Sequence, residues 1–92
     1  MKIPKKILVG GKCYRIIKNY SFKETSLWGQ ADHNTLEIRL SGGLASIQLE
    51  EVFLHEIIHC VDEIYLNRKL SEDEINGFSQ GMFQVLNTIY RK

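Results

Sequence analysis

The stretch LEEVFLHEIIHCVDEIYL, residues 49–66, decides how this chain folds. It contains no Gly or Pro, and its apolar residues recur at helical spacing. These residues are Phe53, Leu54, Ile57, Ile58, Val61, Ile64 and Tyr65. Projected at about 100° per residue, they cover a broad arc, and the polar residues His55, Glu56, His59 and Glu63 fall on the other side. The stretch is therefore predicted to be an amphipathic helix, with Ser46 as its N-cap.

The polar side of this helix carries the sequence HEIIH at positions 55–59. Histidines four residues apart project from one helical face, so His55 and His59 can bind a single Zn²⁺. Glu56 lies on the flank of the pair, where a carboxylate can act as a general base. The chain has only 3 His, and two of them stand at this spacing. The pattern predicts a zinc hydrolase, and the alternative is that these residues form a solvated stripe.

Composition indicates one small globular domain spanning residues 1–92. Of its 92 residues, 43% are hydrophobic and 25% are charged, which is ordinary for a domain near the lower size limit of a self-sufficient core. Two cysteines, Cys13 and Cys60, do not form a disulfide framework, and we expect reduced thiols with Cys60 in the core. We find no apolar stretch typical of a signal peptide or membrane span, so a cytoplasmic location is expected.

Charge is unevenly distributed along the chain, although the net charge is +1. Lys or Arg occupies six of the first 18 positions, and eight of the 11 acidic residues lie between Glu50 and Glu74. A basic N-terminal segment could bind nucleic acid. More often, such lysines are the solvent face of an edge strand. A nucleic-acid partner is therefore the less favoured interpretation. A monomer without a membrane partner is also expected.

Residues 6–40 have the pattern of β structure. Apolar residues 7–9 and the alternating stretch 13–17 flank Gly10 and Gly11, which predict a tight turn between two strands. Further strands are predicted at 27–31 and at 36–40, the latter with Leu36, Ile38 and Leu40 on one face. The expected fold is α+β, a small antiparallel or mixed sheet of three to four strands followed by two packed helices.

A second helix is predicted from Ser71 to the end of the chain. Ser71 and Glu74 fit a capping box. Apolar residues then follow at steps of three and four, and we expect this stripe to be core. The stripe consists of Ile75, Phe78, Met82, Val85 and Ile89.

A catalytic zinc usually takes three protein ligands, so one ligand must come from outside HEIIH. The candidates are Glu72, Asp73, Glu74, His33 and Glu63. Glu74 has a structural role available in the capping box. Glu72 shares the inward face of the second helix at its exposed first turn, and we favour it, with Glu74 next. The competing explanation is that these acids only complement the helix dipole.

These residues resemble a known family. HEIIH followed by Glu72, Ile75, Asn76, Phe78 and Ser79 is similar to the small phage and bacterial zincins of the ImmA/IrrE type, whose second motif is roughly ExxANxFA. Residues 54–64 and GMFQVL at 81–86 are also similar to compact phage-encoded metallopeptidases of SprT-like or minimal-zincin character. The chain departs from the ImmA/IrrE pattern at Ile75, where the pattern has Ala.

The resemblance implies a gluzincin arrangement. Zinc would be bound by His55, His59 and Glu72, with Glu56 as the base and strand 36–40 bordering the cleft. The predicted function is hydrolysis of a peptide bond in a peptide or protein substrate, which could pair with strand 36–40 by β-augmentation. The alternatives are a catalytically inactive zincin-like metal-binding or protein-interaction domain, and a nucleic-acid-binding module.

No residue is an obvious electrophile for the tetrahedral oxyanion. The possibilities are His33, Tyr65 and Arg39, and each has a structural explanation of its own: turn polarity, the edge of the core and a solvated strand face, respectively.

Overall fold

The computed structural model describes residues 2–90 and confirms the predicted α+β fold, a four-stranded mixed sheet followed by two helices. The elements are β1 (Lys6–Val9), β2 (Lys12–Tyr20), β3 (Gly29–Asp32), β4 (Glu37–Ser41), α1 (Ser46–Tyr65) and α2 (Glu72–Tyr90). The strand order is β1-β2-β4-β3. Strands β2 and β4 run parallel, whereas β1–β2 and β3–β4 are antiparallel pairs.

The first hairpin turns at Gly10 and Gly11, as predicted. Val9 pairs with Lys12, and the two glycines have left-handed φ values of 56° and 84°. A Cβ on Gly10 would lie 2.4 Å from Cγ2 of Ile64, so the missing side chain also lets α1 pack close to the turn. Lys6 is exposed on the edge strand β1, an arrangement that discourages edge-to-edge pairing, whereas Lys12 is exposed on the interior strand β2.

The third and fourth strands are displaced from their predicted positions by one or two residues. Asp32 ends β3, and its Oδ1 accepts the backbone N–H groups of Asn34 and Thr35 at 3.0 Å each. Leu36 has a left-handed φ of 58° and therefore belongs to the turn, so β4 begins at Glu37. The predicted inward face is confirmed for Ile38 and Leu40, which are fully buried.

The prediction that strand 36–40 borders a cleft and pairs with a substrate is wrong. β4 is hydrogen-bonded on both sides, to β2 and to β3, so it has no free edge. Alternation along a strand indicates which face is buried, but strand neighbours depend on how the connections run. The edge strand on this side of the sheet is β3, which also packs against α1.

Helix α1 covers one face of the sheet and completes the core. The largest fully buried side chains are Tyr14, Ile38, Leu40, Phe53 and Cys60. The prediction that Cys60 is a core residue is thus confirmed, and burial raises the pKa of its thiol to about 12. The predicted N-cap is wrong by one residue, because Ser46 is already helical. Ala45 precedes the helix and donates its backbone N–H to Oε1 of Gln48 at 3.2 Å.

Helix α2 begins with the predicted capping box. The Ser71 N–H donates to Oε1 of Glu74 at 2.8 Å, and the Glu74 N–H donates to Oγ of Ser71 at 3.1 Å. No helix formed by residues 2–90 combines the length and the apolar character needed to cross a membrane.

The prediction that the apolar stripe of α2 is core is wrong beyond its first residue. Ile75 is buried, but the other members, Phe78, Met82, Val85 and Ile89, are 42–55% exposed. The helix packs on α1 alone and turns a different line of residues toward it, with Ile75 and Ser79 buried and Phe83 and Leu86 half-buried. A helix that packs on one neighbour buries only one of its faces. Apolar residues spaced three and four apart can define either of two adjacent faces, so the spacing alone does not show which face is buried.

Candidate metal centre

Two histidines on the middle of α1 form one half of the candidate site. His55 and His59 are one helical turn apart, with ring centroids separated by 4.9 Å. Their side chains are about a quarter exposed, at 23% and 26%, so they are neither core nor freely solvated. The solvated-stripe alternative does not describe them.

Glu72, in the first turn of α2, forms the other half of the site. Its Oε1 lies 3.0 Å from Nε2 of His59, and its Oε2 lies 3.8 Å from Nε2 of His55. One ligand atom from each residue lies within 4.8 Å of the others. Ligand atoms about 2.0–2.1 Å from a tetrahedral zinc are about 3.4 Å apart. Each of the two nitrogen–oxygen distances, which involve different oxygens of Glu72, is within about 0.4 Å of that separation. The donor set fits zinc.

Three of the four other candidate third ligands have partners elsewhere, and the fourth, Asp73, is exposed and outside the converging group. Glu74 is held in the capping box, and Glu63 is paired with Arg68. Nδ1 of His33 is 2.9 Å from the Tyr14 hydroxyl, and its Nε2 is 3.8 Å from Glu63. Of the predicted candidates, Glu72 is the one that lies beside the two histidines.

Glu56 is buried rather than exposed on a polar stripe, with a relative accessibility of 6%. It lies beneath β3, where a Cβ added to Gly29 would be 3.1 Å from its Oε2. Burial raises the pKa of Glu56 to about 7, and repulsion by the Glu72 carboxylate adds to the rise. A backbone N–H bond from Ala31 opposes it. A carboxyl group with this pKa can both accept and return a proton near neutral pH.

The electrostatics of His55 favour the neutral imidazole. Burial lowers its pKa most, the neighbouring His59 lowers it further, and the Glu72 carboxylate raises it in opposition. A neutral imidazole keeps the nitrogen lone pair that a metal ligand requires.

Asp62, one turn after His59, was not recognised from the sequence as part of the site. Its buried Oδ1 accepts the backbone N–H groups of Lys69 at 2.9 Å and Leu70 at 3.1 Å. Its carbonyl accepts those of Leu66 and Arg68, each at 3.1 Å. These bonds fix the connection that brings Glu72 back to α1. The signal in the sequence was an acid near a helix C-terminus, where the helix dipole disfavours negative charge.

An open cleft of about 450 Å³ lies next to His55. The segment that leads into β3, the first half of α1 and the start of α2 form its walls. His55 and Glu56 line it, together with Trp28 and Gly29 from the β3 side. Gly29 is needed for this packing, because a Cβ there would lie 2.5 Å from Cγ1 of Val52. Sequence reasoning missed both Trp28 and Gly29, because nothing local marks them.

No family model, curated protein or solved structure matches this chain. The resemblance to zincins accordingly rests on the motif residues quoted above. The arrangement of His55, Glu56, His59 and Glu72 is an independent, structural observation.

The three residues considered as possible oxyanion partners lie in separate environments. Arg39 is ion-paired with Asp32 at 3.2 Å and Glu37 at 2.7 Å, and it alternates with Ile38 and Leu40, so it faces away from α1. Tyr65 is 65% exposed at the end of α1. His33 is hydrogen-bonded to Tyr14. Burial lowers the pKa of His33 most, and the nearby Arg68 and His59 lower it further.

Proposed function

We propose that this chain is a zinc-dependent metallopeptidase of minimal gluzincin type, hydrolysing peptide bonds in a peptide or protein substrate. His55, His59 and Glu72 are the proposed ligands, and Glu56 is the proposed general base. The observation that carries the proposal is the convergence of three donor groups from two helices, one of which, His55, lines an open cleft together with the buried carboxyl group of Glu56.

The donor set favours a catalytic zinc over a structural one. Two imidazoles and one carboxylate are the ligands of many zinc hydrolases, which leave the fourth position to water or substrate. A structural zinc usually takes four protein ligands. Within residues 2–90 the converging donor group has three members, His55, His59 and Glu72.

Zinc bound there would supply a Lewis acid for the scissile carbonyl and lower the pKa of the attacking water. Glu56 would take the proton from that water and later pass it to the leaving amine. Its burial under β3 keeps the carboxyl group from solvent and fixes its direction. Substrate backbone would pair with the outer edge of β3 near Gly29, where that strand lines the cleft.

The test is zinc stoichiometry combined with cleavage of a peptide library analysed by mass spectrometry. We expect His59→Ala and Glu72→Ala to lose the metal, and Glu74→Ala to keep it while losing stability. Glu56→Gln should keep zinc and lose activity by about 10²- to 10⁴-fold. Full zinc retention by Glu72→Ala would refute the ligand assignment, and undiminished cleavage by Glu56→Gln would refute the mechanism.

The second candidate function is a zincin-like metal-binding or protein-interaction domain without turnover. The exposed apolar face of α2, formed by Phe78, Met82, Val85 and Ile89, favours it, because such a face is typical of a binding surface. This function predicts that the wild type binds zinc but cleaves no peptide of the library. The buried Glu56 argues against it, since burying a carboxylate costs stability that a binding domain need not give up.

A further inference from the structure

Trp28 is a half-exposed aromatic wall of the cleft. The indole side chain is 50% exposed, although Trp is among the residues with most to gain from burial. Its backbone is fixed, because the Trp28 carbonyl accepts the N–H of Ser41 at 2.9 Å. An exposed aromatic ring on an anchored backbone, lining the same cleft as His55, is available to a ligand rather than to the core.

Glu51 contributes a free negative charge to the same cleft. It lies on α1 one turn before His55, and both residues line the cleft. Glu51 is exposed, and within residues 2–90 it has no ion pair or side-chain hydrogen bond. The described part of the chain places no Lys or Arg in the cleft wall, whose remaining polar side chains are uncharged apart from His55 and Glu56. The cleft is therefore acidic next to the reacting centre.

We propose that this cleft is a subsite for an arginine side chain of the substrate, adjacent to the scissile bond. The inference rests on the proposed peptidase function and adds to it a substrate class. A guanidinium is planar, so it can stack on the indole of Trp28 by a cation–π contact. Its fork of N–H donors can at the same time bind the Glu51 carboxylate. The cleft volume of about 450 Å³ accommodates a side chain of this length.

An apolar or aromatic substrate side chain is the main competitor for this subsite. It would also gain from contact with Trp28, but it would bring apolar surface against the unpaired carboxylate of Glu51 and partly desolvate it. Lysine would satisfy the charge, but an ammonium cannot stack as a plane or bind bidentately. Arginine is the side chain that can contact both Trp28 and Glu51 favourably.

The test compares N-acetyl-arginine hydroxamate with its citrulline analogue by isothermal titration calorimetry on the zinc-loaded protein. Hydroxamates bind zinc directly, and citrulline has nearly the shape of arginine without the charge. We expect the wild type to prefer arginine by about five- to tenfold, from one cation–π contact and one partly exposed ion pair. Glu51→Gln and Trp28→Leu should each reduce the preference to about twofold or less. Glu24→Gln removes the same charge outside the cleft and should leave the preference unchanged.

The outcomes separate this inference from the proposed function. Equal zinc-dependent affinities for the arginine and citrulline hydroxamates would overturn the arginine subsite and leave the metal site intact. Tighter binding of a third compound, N-acetyl-phenylalanine hydroxamate, would do the same. A preference that persists in both Glu51→Gln and Trp28→Leu would also overturn it. Failure of acetohydroxamate to distinguish zinc-loaded from EDTA-treated protein would instead count against the metal centre itself.

Discussion

Replacing Asp62 by Ala should both destabilise the protein and weaken its zinc binding. The substitution removes a buried acceptor that holds two N–H groups, those of Lys69 and Leu70. A hydrogen bond to a charged group contributes about 1.5–3 kcal/mol, so the two bonds set an upper limit of about 3–6 kcal/mol. Lys69 is exposed and can rehydrate, and removing an acid from a helix C-terminus returns a few tenths of a kcal/mol. We expect a loss of about 2–3 kcal/mol.

Asp62→Asn is the matched variant, because its amide oxygen can accept both N–H groups. It should lose only about 1 kcal/mol, the difference between a charged and a neutral acceptor. Asp73→Ala removes an exposed acid outside this connection and should change stability by less than about 0.5 kcal/mol. Stability is measured by urea unfolding of metal-free protein, where the change in midpoint should come without a change in slope.

The same three variants distinguish a local cap from a residue that positions the metal ligand. Glu72 follows Leu70 by two residues, so freeing the connection should lower zinc affinity in Asp62→Ala by about 10- to 100-fold, as for other outer partners of metal ligands. Asp62→Asn should bind zinc nearly as tightly as the wild type. The reasoning is refuted if Asp62→Ala unfolds within 0.5 kcal/mol of the wild type and binds zinc equally well.

Three further predictions concern Glu72, Glu56 and Gly29. Glu72→Gln should lower zinc affinity by more than roughly 100-fold, the loss typical of a residue that only hydrogen-bonds to a metal ligand. A competitive chelator titration measures this affinity, and an unchanged value would contradict the ligand set. In metal-free protein, folding raises the pKa of Glu56 from 4.5 to about 7. The free energy of unfolding is therefore unaffected by this group below pH 4.5 and is lowered by about 3 kcal/mol above pH 7. Glu56→Gln should therefore be more stable than the wild type at pH 8 and equal to it near pH 4.5 in urea unfolding with EDTA, and a constant difference would disprove the burial penalty. Gly29→Ala should cost about 1–3 kcal/mol by forcing Val52 off β3, whereas Gly77→Ala, whose added methyl meets nothing within 4 Å, should gain about 0.5–1 kcal/mol.

The parts of the fold that could be predicted are those decided by neighbours in sequence. The glycine turn, the capping box of Ser71 and Glu74 and helix α1 each depend on residues within one or two turns of the chain. The inward direction of Ile38 and Leu40 likewise follows from alternation along one strand. These features are fixed before any element meets another.

The neighbours of β4 and the buried face of α2 were predicted wrongly, because each depends on which other element packs against it. The pairing of β4 on both sides depends on the path of the connection that precedes β3, and no pattern inside β4 contains that information. On α2, Ile75 belongs to both apolar lines, and only docking on α1 determines that Ser79 rather than Phe78 is buried next. Periodicity shows that a helix has an apolar face but does not identify what covers it.

For the candidate site, the spacing of His55 and His59 follows from helix geometry, and Glu72 was the favoured one of several candidates that the short connection to α2 could bring near them. Trp28, Gly29 and Asp62 could not be derived in the same way. Each acts through a contact with an element distant in sequence or with the backbone of a loop, so its role depends on the assembled fold.

If zinc binds as proposed, the location of Glu72 on a different helix from the histidines would link the folding equilibrium to the zinc concentration. Of the described residues of α2, only Ile75 and Ser79 are buried, so this helix is held by a small interface. An ion shared by α1 and α2 would act as a cross-link, adding about 2.7 kcal/mol to the unfolding free energy when free zinc is 100 times its dissociation constant. Under zinc starvation, α2 would be the first element to detach, and the cleft wall formed by Asn76 and Gln80 would leave with it. The cleft would then be less stably assembled without zinc than with it.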